Sequence, residues 1–164
     1  MIGRLAKIMF VAALALEFSL VAFGNITDYG SNLVFVQHVL AMDSIFPNAA
    51  IHYRAIRSVP LQHVVYLLII LGEALAAMLC WWGVGRLWRR RGSAAAVFER
   101  AKSAATAGLC VGLLVWMVGF IGIGGEWFGM WMSEQWNGLE AAFRLTVLIV
   151  LALLLLGQRD AELE

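Results

Sequence analysis

Four stretches of mostly apolar residues, 5–23, 63–84, 104–123 and 141–157, decide what this chain can become. A bilayer core needs about 20 such residues per helix, and each stretch is near that length. Composition agrees. Of 164 residues, 62% are hydrophobic and only 14% charged, against roughly 25% charged in an average soluble domain. A soluble domain of this size leaves about 30% of its surface in water, and this chain has too few charges to cover that. Lipid is therefore the solvent implied, which excludes a disordered chain, a secreted disulfide scaffold and an ordinary cytosolic enzyme. The expected fold is an all-α integral membrane protein, a single four-transmembrane-helix bundle with short interfacial helices on its outer side.

The basic residues give an orientation. Arg4, Lys7, Arg86, Arg89, Arg90, Arg91, Arg100, Lys102 and Arg159 fall on one side if the chain crosses four times, leaving only Arg54, Arg57 and Arg144 opposite. Short loops rich in Lys and Arg stay in the cytoplasm. Both termini are thus expected on the cytoplasmic side, with loops 24–62 and 124–140 facing out. Arg4 and Lys7 ahead of an apolar run resemble the start of a secretory signal peptide. Glu17 interrupts that run, so the segment is read as a retained helix. The Arg-rich inner connection reads as topogenic charge, sequence-tolerant and close to lipid headgroups.

The outer loops carry more pattern. In 31–42 the apolar residues recur at helical spacing, with Asp28 or Ser31 as possible N-caps. Pro47 suits the start of a second short helix over 47–56, and Pro60 suits the first turn of the second span. Loop 124–140 holds Trp127, Trp131 and Trp136. These form either an aromatic belt at headgroup depth or a cap over the bundle, with Trp127 and Trp131 one helical turn apart.

Three strings in these loops resemble a known family. They are Asn25 to Asn32, including Asp28 and Tyr29; Phe35 to Asp43, including His38 and Met42; and Gly125 to Phe128 with Trp136, Asn137 and Gly138. The chain is similar over nearly its whole length to domain-of-unknown-function family 2165, small integral membrane proteins of bacteria. The resemblance implies four membrane helices and a bacterial inner membrane, and it implies no activity.

Candidate chemistry is sparse. His38, His52 and His63 all fall on the outer side, and Met42 stands one turn after His38. Histidine with methionine suits copper, and imidazole suits several metals, so His38, Met42 and His52 are the candidate ligands. No HxH or HxxxH spacing supports them. Haem between facing helices needs histidines inside the spans, and only His63 lies near one. Cys80 and Cys110 form no CxxC pair and read as small buried hydrophobes. The sequence requires no cofactor and shows no nucleic-acid motif.

Glu17 and Glu73 are the costliest residues, because a charge at the centre of a span usually faces protein or water. At 1.5 Å per residue, Glu17 lies roughly 10 Å and Glu73 roughly 15 Å below the outer ends of their spans, and Arg144 roughly 6 Å. The three are expected to line a polar track opening outward or to form a buried ion pair with one protonated carboxyl. Their role is then structural polar contact, a proton, quinone or ligand pathway, or pairing with another subunit. The Gly-rich third span repeats Ala104, Gly108 and Gly112 at four, a face for close helix packing within the bundle or between subunits.

Nothing assembles a nucleophile, its base and an oxyanion site, so no catalytic activity of its own is expected. The first functional expectation is an accessory or structural subunit of a larger membrane complex, with respiratory complexes the first class to consider. The alternative is a small-molecule, quinone or metal binder with a periplasm-facing polar pocket. The residues expected to contact a ligand or partner are Glu17, Asp28, Tyr29, Asn32, His38, Met42, Glu73, Glu126, Trp127, Trp131, Trp136, Asn137 and Arg144. Lipid is the certain partner of such a chain, and other membrane subunits are the expected ones.

Overall fold

The computed structural model describes residues 1–162. Four helical runs are long and apolar enough to cross a membrane, by length and composition. The first is α1 (Ile2–Thr27), which turns at Asp28 into the shorter α2 (Tyr29–Ala41). The second span is α3 (Val59–Arg90). The third runs from Ala95 to Trp127 and combines α4 (Ala95–Ala101), α5 (Ser103–Leu113) and a π-helical segment (Leu114–Trp127). The fourth is α6 (Leu139–Gly157). Single 3₁₀ turns at His52–Arg54 and Met130–Met132 complete the two connections expected to face out, here called outer for that expectation.

Lipid offers no partner for a backbone N–H or C=O, so each apolar run must satisfy its own backbone as a helix. Proline agrees with this: Pro60 sits in the first turn of α3, where its missing N–H has no intrahelical partner to lose. The helices overrun the apolar stretches because hydropathy marks only the hydrocarbon depth, while the helical backbone runs on to Thr27 in α1 and Arg90 in α3.

α3 is the central helix and packs along α1 on one side and α5 on the other. The approach to α5 is backbone to backbone. A Cβ on Gly83 would stand 2.5 Å from the Ala105 nitrogen, and one on Gly108 would stand 2.7 Å from the Cys80 nitrogen. At Gly112 a Cβ would meet the Phe18 ring at 2.9 Å. The repeat of small residues therefore serves packing inside the bundle, as small-residue faces do in lipid. At the centre Phe18 stacks on Trp116 with ring centroids 5.0 Å apart, beside Val11, Leu14, Leu109 and Ile149. A second apolar cluster, with Leu33, Val36, Leu40, Met42, Ile45, Tyr66 and Phe128, lies under the outer connections.

Three expectations are corrected here. No helix forms over 47–56 beyond the 3₁₀ turn. Its backbone and side chains are drawn instead into longer-range bonds: Ile56 N–H to the Leu40 carbonyl at 2.8 Å, Gln62 Nε2 to the Ile56 carbonyl at 2.8 Å, and His52 Nε2 with the Phe46 carbonyl at 3.2 Å. Trp127 and Trp131 do not share a helix, because Gly129 adopts φ +67° between them and turns the chain. The connection between the second and third spans is more than topogenic charge, because the Arg91 carbonyl and Lys102 take part in buried polar contacts. Its end of the bundle is a buried polar cluster.

That cluster gathers both termini. Arg4, 2% exposed, donates to the carbonyls of Arg91 and Ala161 and lies over the Phe98 ring. Lys7 Nζ contacts Asp160 Oδ2 at 2.8 Å, and Lys102 Nζ contacts the same oxygen at 2.7 Å. Both lysines also donate to the Gln158 carbonyl, and Lys102 reaches Glu99 at 2.8 Å. A buried cation persists only when paired and hydrogen-bonded, and here the tail at 158–162 supplies the pairing.

Candidate functional site

The outer end is built by side chains that lock the two outer connections together. His38, near the end of α2, stacks on Trp136 with centroids 4.4 Å apart and planes at 9°. Its Nδ1 lies 2.9 Å from the Asp43 carboxylate. Phe46 meets the Trp131 ring edge-on at 5.9 Å, and Ser44 and Ser133 share a 2.9 Å hydroxyl hydrogen bond. Arg54 places its guanidinium 4.4 Å from the Trp127 ring centroid and donates to the Trp127 carbonyl. The aromatic cap over the bundle is thus present as a packed surface. Its outer ring stays open: Trp127 is 52% exposed and Trp131 50%.

Beneath the cap a polar chain descends into the span region. Tyr29 hydroxyl and His63 Nδ1 are 2.8 Å apart, and the Tyr29 ring lies against Tyr66 at 4.8 Å. Tyr66 donates from its hydroxyl to the Asn25 carbonyl at 2.9 Å. Asn25 in turn donates from Nδ2 to Glu73 Oε2 at 2.7 Å. Glu73 is 1% exposed, so this amide is what makes a carboxyl in the middle of α3 tolerable.

Beside this chain lies an apolar groove of ≈ 600 Å³. α2 supplies Phe35, Val36 and Val39 to it, α3 supplies Val65, Ile69 and Gly72, and the π-helical segment supplies Val115, Gly119, Phe120 and Gly124. The π winding brings side chains round at spacings of four and five, which sets Val115, Gly119 or Phe120, and Gly124 on one wall. Lone π turns recur at functional positions in helices. Here the segment forms a whole groove wall.

The expected site residues do not form one constellation. Glu73 is buried with Asn25, whereas Glu17 is exposed on α1 and Arg144 is exposed on α6 beside Glu140 at 3.9 Å. Among the described residues no hydrogen bond or ion pair joins any two of Glu17, Glu73 and Arg144, so the outward polar track does not form. Arg144 is met by its own helix neighbour at i−4 instead.

The pairing of His38 with Met42 is also undone. α2 ends at Ala41, and Met42 takes φ 54° and turns its side chain into the apolar cluster under the cap. His52 is turned to the Phe46 carbonyl. Among the described residues no group of three or more His, Cys, Asp or Glu could hold a metal ion.

Tyr29 belongs to the polar chain. Asn32 bonds back to the Asp28 carbonyl at 3.0 Å, Asn137 caps the Leu139 N–H at 3.1 Å, and Glu126 and Asp28 are exposed. Sequence reasoning missed Asn25 as the partner of Glu73 and Tyr66 as the residue that holds Asn25. The one available signal was a carboxyl inside a span, which demands a donor somewhere.

No curated protein and no solved structure matches the chain. The family comparison agrees with the resemblance carried by the outer strings: residues 3–159 match the family described as "Predicted small integral membrane protein (DUF2165)", and the chain belongs to it.

Proposed function

We propose that this chain is a structural subunit of a larger membrane assembly, joined to its neighbour through the face of α1 that carries Glu17. The observation that carries this reading is the exposure of Glu17 on the bundle surface. It lies about 15 Å from the outer end of α1 at 1.5 Å per residue, well inside the hydrocarbon. Ionisable residues at that depth face protein or water, and among the described residues none covers this one. A helix of another membrane protein that offers a donor or a cation would satisfy it. In the orientation favoured by the basic residues, the cap faces the periplasm of a bacterial inner membrane and adds its exposed tryptophans to the same contact.

Native electrophoresis of gently solubilised membranes tests this. The wild-type chain is expected in a band heavier than its 18.1 kDa plus detergent, and mass spectrometry of that band should find a second membrane protein. Glu17→Leu should release the chain as a monomer of unchanged or higher thermal stability. A wild-type chain that runs alone would sink the reading.

A second reading is favoured by the apolar groove: an elongated apolar molecule, such as a quinone, lying between α2 and the π-helical segment. Solvent extracts of the purified protein should then contain it in stoichiometric amount, and Gly119→Leu should remove it. Extracts that hold only bulk lipid would exclude this second reading.

A further inference from the structure

The inner end carries two kinds of cation. Lys7 and Lys102 are buried and paired with Asp160, Glu99 and carbonyls, and buried Arg4 donates from both terminal nitrogens to carbonyls. Arg86, Arg89 and Arg90 on the last turns of α3, with Arg100 on α4, are different. With Val97 and Ala101 they enclose a cavity of ≈ 370 Å³. Among the described residues none of these four guanidinium groups forms an ion pair. The neighbouring acids are already occupied: Glu99 with Lys102 and the Asp160 N–H, Asp160 with both lysines, and Glu162 with the Ala95 N–H.

The cavity also has a fixed frame. Arg86 and Arg90 stand one turn apart on α3, on one face of the helix. Arg86 donates from Nη2 to the Arg100 carbonyl at 3.3 Å, and Arg100 donates from Nε to the Ala96 carbonyl at 3.3 Å. The first bond ties α3 to α4 across the opening, and the second holds the Arg100 side chain along α4. Trp82 lies under Arg86 at 5.7 Å, and the exposed Trp88 lies under Arg91 at 4.2 Å. Tryptophans of this kind mark headgroup depth, so the opening faces the layer where lipid phosphates lie.

We propose that this four-arginine cavity binds the phosphate of an anionic phospholipid headgroup. The guanidinium fork matches a phosphate in two parallel N–H···O bonds, and four such groups without an internal acid leave net positive charge for an external anion. A zwitterionic headgroup brings its own cation into the cavity and is disfavoured. Free phosphate shares the chemistry but lacks the acyl chains that α3 and Trp82 would hold.

Native mass spectrometry of the full chain from nanodiscs tests the assignment, with phosphatidylglycerol or phosphatidylcholine supplied and inorganic phosphate as competitor. Wild-type protein should retain phosphatidylglycerol in preference to phosphatidylcholine, and millimolar phosphate should not displace it. Arg86→Gln and Arg100→Gln should each lower the bound fraction about fivefold, as loss of one basic residue near an anionic surface does. Arg57→Gln and Arg144→Gln, at the far end, should leave it unchanged. Equal retention of the two lipids by the wild type overturns the proposal without any variant. So does an equal loss from the far-end variants, or complete displacement by phosphate, which would make this a site for the soluble ion.

Discussion

The two ends of the bundle solve the same problem with opposite means. At the cap, connections too short to span are fixed by aromatic contacts: His38 stacked on Trp136, Phe46 edge-on to Trp131, and the Arg54 guanidinium over Trp127. At the terminal end, Lys7 and Lys102 converge on one carboxylate, Asp160, whose side chain is 7% exposed. Stacking contacts are each modest and spread over many residues, about 0.5–1.5 kcal/mol beyond burial. A buried ion cluster is concentrated, and removal of one member leaves the others charged and unpaired. The cap should therefore tolerate single substitutions that the terminal end does not.

The largest expected effect is at Asp160. Asp160→Leu strands the buried Lys7 ammonium, leaves Lys102 with Glu99 alone, and should cost about 3 kcal/mol, the low end of values for breaking a buried pair. Thermal unfolding of the micelle-bound protein, followed by tryptophan fluorescence, measures it. A loss no greater than that of a cap variant would erase the contrast between the ends.

Acid comes next. Burial alone would push the Asp160 carboxyl up, but hydrogen bonds and charge from Lys102 and Lys7 outweigh it and hold the group below the usual carboxylate range. A carboxyl held low in the folded state contributes stability above its unfolded value, near pH 4, and loses it as pH falls through the lowered folded value. The wild type should thus lose stability below about pH 4, and Asp160→Leu should lack that part of the decline. An identical acid profile in both proteins would remove Asp160 as its source.

The smallest effect is at the cap. Trp136→Leu should cost about 1 kcal/mol through the lost stack with His38, and Trp136→Phe less. If Trp136→Leu proves more damaging than Asp160→Leu, the cap and not the terminal cluster is the concentrated element.

Much of this was legible in the sequence for reasons of solvent. Hydrocarbon demands about 20 apolar residues per helix, so the four spans are readable from composition alone, and the cost of a carboxyl at that depth makes Glu73 readable as buried. Its partner was not, because Asn25 lies past the apolar stretch that marks α1 while the helix itself runs on to Thr27. The segment 47–56 has the proline of a helix start, yet its N–H groups at Ala49, Arg54 and Ala55 close local turns and that of Ile56 goes to the distant Leu40 carbonyl. The π winding of 114–127 depends on which carbonyl each N–H chooses, a choice with no side-chain signature when the residues are Gly, Val and Ile. Asp160 looks like an ordinary solvated tail residue until the fold sets Lys7 and Lys102 beside it.

The bond between tail and first helix has a mechanical side. Lys7 holds Gln158 and Asp160 across 151 and 153 residues of chain, and Arg4 holds Ala161 across 157. A tension applied at the C-terminal tail is therefore carried first by α1, and through Lys102 by the third span, before it can unwind α6. The tail works as a strap that couples three helices, so a load at one point is shared across the bundle.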